Sequence, residues 1–506
     1  MLLVILLSLL SPLLIGWLLV QVLLPAPANS PAGKSSGYPL LWRLCLAPGA
    51  GFALVSLLYF LWSLIFSPTQ ALAGYLGIEG LLLLGLGIFA WRQRRPAFSP
   101  PPELGERLGV RAKGRFTQFL NSILKIQRPT GVQLLALLAG LVFALFLFNF
   151  LSEWQKLAFE KPYGDWDAWA IWNLRAAFIA SGDGWLNGFS PVILWSHPDY
   201  PLLLPLNVAR VWALLGERSV LAPVIVGLLF QLSLVGLLAT SVQMLRGALQ
   251  GLLAGSVGLA VLFVSLNFRQ YADIPLAYYF LAANVLLFIA DVSADRQPGP
   301  ALLAGLMSGA ALWTKNEGWA LLVAVLAARL LLDLAGRKPL AQAGRWLGFF
   351  LIGLLPLLLT ALYFKLTLAP PNDIVAGLSL AAIKSKLVEV SRYLAILKAV
   401  RSQITHYGNL ALPMLPLLLG YGLLVGISFS KDQRGGVLAL LLRVAGISAI
   451  YFMIYLLTPN NLAWQLNTSL ERLVTQILPS ALLLYFLVVS ALPSQSQPGM
   501  LDERIT

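Results

Sequence analysis

Charge is scarce in this 506-residue chain. Asp, Glu, Lys and Arg together make up 11% of it, histidine occurs twice and cysteine once. A water-soluble domain carries roughly a quarter of its residues charged, so a soluble globular surface is excluded. With Cys45 alone there is no intrachain disulfide, and the redox compartment cannot be read. Two histidines and one cysteine also exclude a zinc-type ligand set at close spacing. Acidic residues are the rarer sign, 21 against 35 basic, leaving a net charge of +14. No basic stripe on a soluble recognition module accompanies that excess, so nucleic acid is not an expected partner. Lys/Arg-rich cytoplasmic loops of a membrane protein explain it directly.

What the chain has is apolar length, 58% hydrophobic residues in long runs. A run of about 18 or more spans the ~30 Å hydrocarbon core as a helix. Strand-type alternation is missing, which leaves helices as the only way to satisfy the backbone in lipid. The fold class is therefore all-α: a polytopic transmembrane protein of about thirteen spans. They are expected near 2–24, 41–66, 71–91, 131–152, 220–243, 249–266, 274–291, 299–314, 318–333, 346–364, 410–429, 437–457 and 473–492. The first run lacks a basic n-region and is too long for a signal-peptide core, so it reads as a retained span.

Residues 92–128 hold nine basic residues against Glu103 and Glu106. Such a cluster beside a span belongs in the cytoplasm. Counting spans from there sends 153–219, 267–273, 314–318, 365–409 and 458–472 to the opposite face. Those segments contain 12 of the 21 acidic residues and both histidines, His197 and His406. No repeat of 20–50 residues and no inverted halves are visible, which argues against a repeat-built secondary transporter. Three regions follow: 1–130 (N-terminal spans and basic loop), 131–364 (a core with the large outer loop 153–219), and 365–506 (an outer amphipathic segment and C-terminal spans).

The outer loop carries "YGDWDAWAIWNLRAAFIASGDGW" at 163–185. Asp165 is placed to cap a helix running from about Trp166 to Ile179, with Asp167 in the first turn where the dipole favours a carboxylate. Residues two apart face different ways on a helix, so Asp165 and Asp167 serve one site only if the helix begins after Asp167. Trp166, Trp169 and Trp172 would suit sugar stacking or an interfacial aromatic belt. In 379–404, apolar residues at helical spacing lie among Lys384, Lys386, Arg392, Lys398 and Arg401, as in a helix resting on anionic headgroups.

Asp167, a helical stretch and "SGDGW" (181–185) resemble the first outer loop of GT-C membrane glycosyltransferases, glycosyltransferase family 39 most closely. That family includes protein O-mannosyltransferases and aminoarabinose transferases. Further along, "WSHPDYPLLLPL" (195–206), "NFRQYADIPLAYY" (267–279), "WTKNEGW" (313–319) and "TPNNLAWQLNTSLERLV" (458–474) are similar to later family segments, in the same order. Two departures stand out. Ala168 occupies the place of a second acid, and in 195–206 the lysine of the family's counterpart is missing, with Asp199-Tyr200-Pro201-Leu202 in its place.

The resemblance implies transfer of a sugar, with inversion, from a polyprenyl-phosphate donor to a lipid, glycan or protein acceptor. It implies an active site on the extracytoplasmic face of a bacterial inner (plasma) membrane. Asp167 would be the general base, with Asp165 and Asp273 as further catalytic candidates. Lys315, Arg269, His197, Asp199, Tyr200, Glu317 and Arg472 would contact substrate. Lys315 would equally pair with Glu317 or Asp273, and Arg472 would equally snorkel at the bilayer boundary. No cofactor is required, though a divalent metal fits the family's acid pair. Because the base acts on the acceptor, Asp167→Asn is expected to leave donor binding unchanged. Other readings are a polyprenyl-dependent polysaccharide polymerase or ligase, or a flippase for lipid-linked sugars. A flippase would place charges inside spans, where Glu79, Arg329 and Arg443 are the candidates.

Overall fold

The computed structural model describes residues 1–25, 38–94, 131–264, 270–292, 298–336, 340–372, 379–407, 413–428 and 431–490. The basic loop centred on 95–130 and Arg269 lie outside them. Among the described residues the chain is helical, with no strand beyond one isolated bridge between Ile427 and Val489. It is a polytopic helical membrane protein. Ten helices among the described residues are long and apolar enough to cross a bilayer.

In order these are α1 (Leu2–Leu23), α2 (Leu40–Phe66), α3 (Leu72–Arg94), α4 (Gly131–Glu160), α7 (Leu221–Arg246), α9 (Asp273–Val292), α11 (Gly318–Ala335), α12 (Leu340–Thr367), α16 (Arg434–Leu457) and α17 (Leu462–Val488). Each matches an expected span. The other three expected spans are shorter helices: α8 (Ala248–Val264), α10 (Pro298–Thr314) and α15 (Met414–Val425). The remaining helices, α5 (Asn173–Ile179), α6 (Leu203–Leu215), α13 (Leu380–Val388) and α14 (Val390–Thr405), belong to segments read as outer loops.

Helix α9 is the centre of the bundle, buried along nearly its whole length between α2, α7, α10, α16 and α17. In lipid, helices gain little from hiding apolar surface and associate through close packing and hydrogen bonds. Both devices are present. A Cβ on Gly305 of α10 would run into the Phe350 carbonyl of α12, and one on Gly353 into that of Leu302, so these helices meet backbone to backbone. Around Pro48 of α2, where the proline supplies no N–H, Tyr278 donates to the Cys45 and Leu46 carbonyls at 3.0 and 3.1 Å. Its neighbour Tyr279 donates to Gly49 at 3.0 Å.

The amphipathic segment forms two helices, divided at Glu389 in extended conformation. Two of its basic side chains do a different job from the expected lipid contact. Lys386 donates to the Leu457 and Thr458 carbonyls at 3.1 and 2.7 Å, and Arg392 to those of Leu456 and Tyr455 at 2.9 and 3.1 Å. They satisfy the orphan carbonyls at the C-terminus of α16, where a cation also meets the negative end of the helix dipole.

Candidate active site

The site begins with Asp273. It is the first residue of α9, a helix of 20 residues, and has no exposed surface. Twenty residues rise about 30 Å, the hydrocarbon thickness, so the first residue of a spanning helix of this length belongs near a bilayer boundary. A carboxylate in the first helical turn suits the dipole, yet burial without partners would be prohibitive. Four donors surround it. Lys315 Nζ and Gln476 Nε2 reach Oδ1 at 2.9 and 2.5 Å. Arg472 Nε and Nη2 reach Oδ2 at 3.0 and 2.9 Å.

Arg472 then extends the cluster. The same Nη2 donates to Oδ2 of Asp167 at 2.5 Å, tying the outer loop to α17. Of the two expectations for Arg472, substrate contact and snorkelling, the second does not hold: its side chain is ion-paired and only 16% exposed. Helix α17 starts at Leu462, earlier than the expected span, and this carries Arg472 inward to face α9. Its guanidinium also lies 5.0 Å from the ring centroid of Tyr271.

Lys315 occupies the turn between α10 and α11. Both alternatives hold at once, because Nζ pairs with Asp273 and, at 2.8 Å, with Glu317. Burial alone would lower the pKa of this lysine. The carboxylates of Asp273 and Glu317 outweigh that cost and hold its pKa above the ordinary value.

The outer loop is arranged differently from its expected helix. Residues 168–172 form a π-turn and α5 follows directly. Asp167 precedes the turn and makes no side-chain cap, which leaves its carboxylate for Arg472. Asp165 was expected to cap; instead its backbone carbonyl accepts from Ala168 at 2.9 Å while its carboxylate pairs with Lys161 at 3.2 Å. The two acids serve different partners. Ala168, beside Asp167, is fully buried.

Asp199 forms a second hub. Its Oδ2 accepts from Asn316 at 2.8 Å, Asn372 at 2.7 Å and Lys365 at 3.4 Å, and its carbonyl accepts from Lys365 as well. Through Asn316 it fixes the turn that carries Lys315. Arg175 of α5 donates to Ser196 O and Oγ at 2.8 and 3.0 Å and to the Gly188 carbonyl, which fastens the loop internally. Burial lowers its pKa to about 10, with Asp199 opposing. Tyr200 stacks between Trp172 and His197, at 5.4 and 5.2 Å between centroids, with Lys315 Nζ 5.9 Å from its ring.

Asp167, Asp273, Lys315, Glu317 and Arg472 thus form one connected ionic cluster, and Asp199 and Tyr200 line its loop side. His197 touches it only through Tyr200. Sequence reading did not single out Gln476, Tyr451, Tyr271, Lys365, Asn316 or Asn372. Gln476 is a lone amide in an apolar run and accepts from Tyr451 at 2.6 Å. That hydrogen bond turns its NH₂ toward Asp273. Lys365 was visible as a cation closing an apolar run.

No group of three or more His, Cys, Asp or Glu side chains able to hold a metal occurs among the described residues. The acids here face cations instead of each other, so the donor set does not fit a divalent ion. A scan against protein-family models finds no match, and neither a curated protein nor a solved structure matches the chain.

Proposed function

We propose that this protein is a GT-C-like inverting glycosyltransferase of about thirteen spans. It moves a sugar from a polyprenyl-phosphate donor to an acceptor hydroxyl on the extracytoplasmic face. The observation that carries the reading is the buried cluster Asp167–Arg472–Asp273–Lys315, set at the bilayer boundary. Such a transfer needs a carboxylate to take the acceptor proton and cations to hold the departing phosphate. A lipid-borne phosphate arrives at that same depth.

In this reading the acceptor oxygen forms the new bond to the anomeric carbon as the sugar–phosphate bond breaks. The electron pair leaves on the phosphate, beside Arg472 and Lys315. The proton goes to Asp167. Asp273, with every donor already committed to it, positions those two cations and needs no contact with acceptor or metal. Purified protein in nanodiscs, given a panel of polyprenyl-phosphate sugars, should release polyprenyl phosphate and form a glycosylated product by mass spectrometry. Movement of labelled donor across the bilayer without bond cleavage would favour the flippase reading. Transfer to a growing glycan chain would favour the polymerase.

Orientation has its own test. The only native cysteine, Cys45, is buried, so single cysteines at Ser99 and Asn187 report cleanly. A membrane-impermeant maleimide added outside intact cells should label Asn187→Cys and spare Ser99→Cys. Labelling of both from outside would remove the sidedness on which the reading rests.

A further inference from the structure

Resting on that reading, the way Arg472 is shared has a consequence for the order of events. Its Nη2 serves two carboxylates, Asp273 at 2.9 Å and Asp167 at 2.5 Å. The hold on Asp273 is double, because Nε also reaches Oδ2 at 3.0 Å. Asp273 is also held at Oδ1 by Lys315 and Gln476 and has no exposed surface. The hold on Asp167 is single. Asp167 belongs to the outer loop, and its side chain and that of Arg472 are 12% and 16% exposed. Of the two ion pairs that Arg472 makes, the one with Asp167 is the more accessible, because Asp273 has no exposed surface.

An Asp167 carboxylate engaged with a guanidinium is occupied in two ways. One lone pair is taken, and its charge is already neutralised. A phosphate would draw on the same guanidinium charge, which Asp273 already shares through Nε and Nη2 and Asp167 through Nη2. We infer that Asp167 and the donor phosphate compete for Arg472: in the resting site Asp167 closes the phosphate position, and phosphate binding releases Asp167 to face the acceptor hydroxyl. The donor therefore binds before the base is available, and an empty site cannot deprotonate water or acceptor at random.

The competition reverses the expectation that Asp167→Asn leaves donor binding unchanged. An asparagine is neutral and gives up Arg472 at lower cost, so the variant should bind the anion more tightly. The probe is undecaprenyl phosphate itself, without sugar, titrated onto purified protein in nanodiscs by native mass spectrometry. A gain on the order of tenfold is expected for Asp167→Asn, an effect of the size that coupling between binding sites shows. Asp165→Asn, whose partner is Lys161, should bind as the wild type does. Arg472→Lys, a single point charge in place of a fork that holds Asp273 and the phosphate together, should bind more weakly.

Equal or weaker binding in folded Asp167→Asn overturns the competition, as does absence of binding to the wild type. These outcomes are separate from the fate of the transferase reading. Tighter binding in Asp167→Asn with no sugar transfer by the wild type keeps the competition and removes the reaction. Transfer by the wild type with unchanged binding in the variant does the reverse.

Discussion

Asp167→Asn should lower sugar transfer by ~10²–10⁴-fold, the range that a positioned general base supplies. Asparagine keeps the size of the side chain and one acceptor oxygen for Arg472, so the loop should stay in place. What it loses is the capacity to take a proton. Asp165→Asn is the internal control two residues away. Its carboxylate touches only Lys161 at an exposed pair, 35% and 50% accessible, and such pairs contribute ~0–1 kcal/mol. Single-turnover rates measured at saturating donor separate this effect from the binding change inferred above. Wild-type turnover in Asp167→Asn with an inactive Asp165→Asn would move the base by two residues. Full activity in both would end the carboxylate-base mechanism.

The long apolar runs made most of the fold legible, because a bilayer translates length directly into structure. Helix α6 was hidden for a physical reason. Asn207 and Arg210 interrupt "LLPLNVARVWALL" and made it read as outer loop. In the fold Asn207 donates to Phe52 and Leu203 carbonyls at 3.2 and 2.8 Å, and Arg210 is neutralised by Glu79, so both are affordable inside. Polarity that is paid for by a partner 131 residues away in sequence leaves no local signature.

The site divides along the same line. Asp167, Asp273 and Lys315 were readable because each stands in a short motif on one expected face. Arg472 was placed on that face with its partners unread, since a cation near a bilayer boundary has an ordinary explanation in snorkelling. Only the earlier start of α17 turns it toward Asp273. Lys386 and Arg392 erred in the opposite direction. Their spacing read as lipid-facing, and the deciding fact is that α16 ends beside them with unsatisfied carbonyls. Sequence periodicity assigns a face but not the neighbour that covers it.

Breaking the Glu79–Arg210 pair should give the largest loss of stability of any single substitution considered for this chain. Both residues are 1% exposed. Arg210 Nε and Nη2 grip the two carboxylate oxygens at 2.6 and 2.5 Å, and Nη1 donates to the Ser8 carbonyl at 2.7 Å. Ser11 donates to Oε2 at 2.7 Å, and Tyr75 closes the other side. The pair joins α1, α3 and α6, and it is the buried ion pair of α3, a helix with only 11% of its apolar window buried. Arg210→Met strands a carboxylate in a dry bundle, at a cost of ~3–5 kcal/mol. Glu79→Gln with Arg210→Met removes both charges and should recover most of the loss, because a neutral pair needs no mutual compensation there. Thermal unfolding in detergent, followed by intrinsic fluorescence, reads the difference. Single variants that melt with the wild type would show that α3 is held by packing alone. A double variant as unstable as Arg210→Met would assign the loss to shape instead of charge. Recovery in the double variant, with sugar transfer intact, would make this pair an anchor for the N-terminal helices and separate it from any path for a permeating ion.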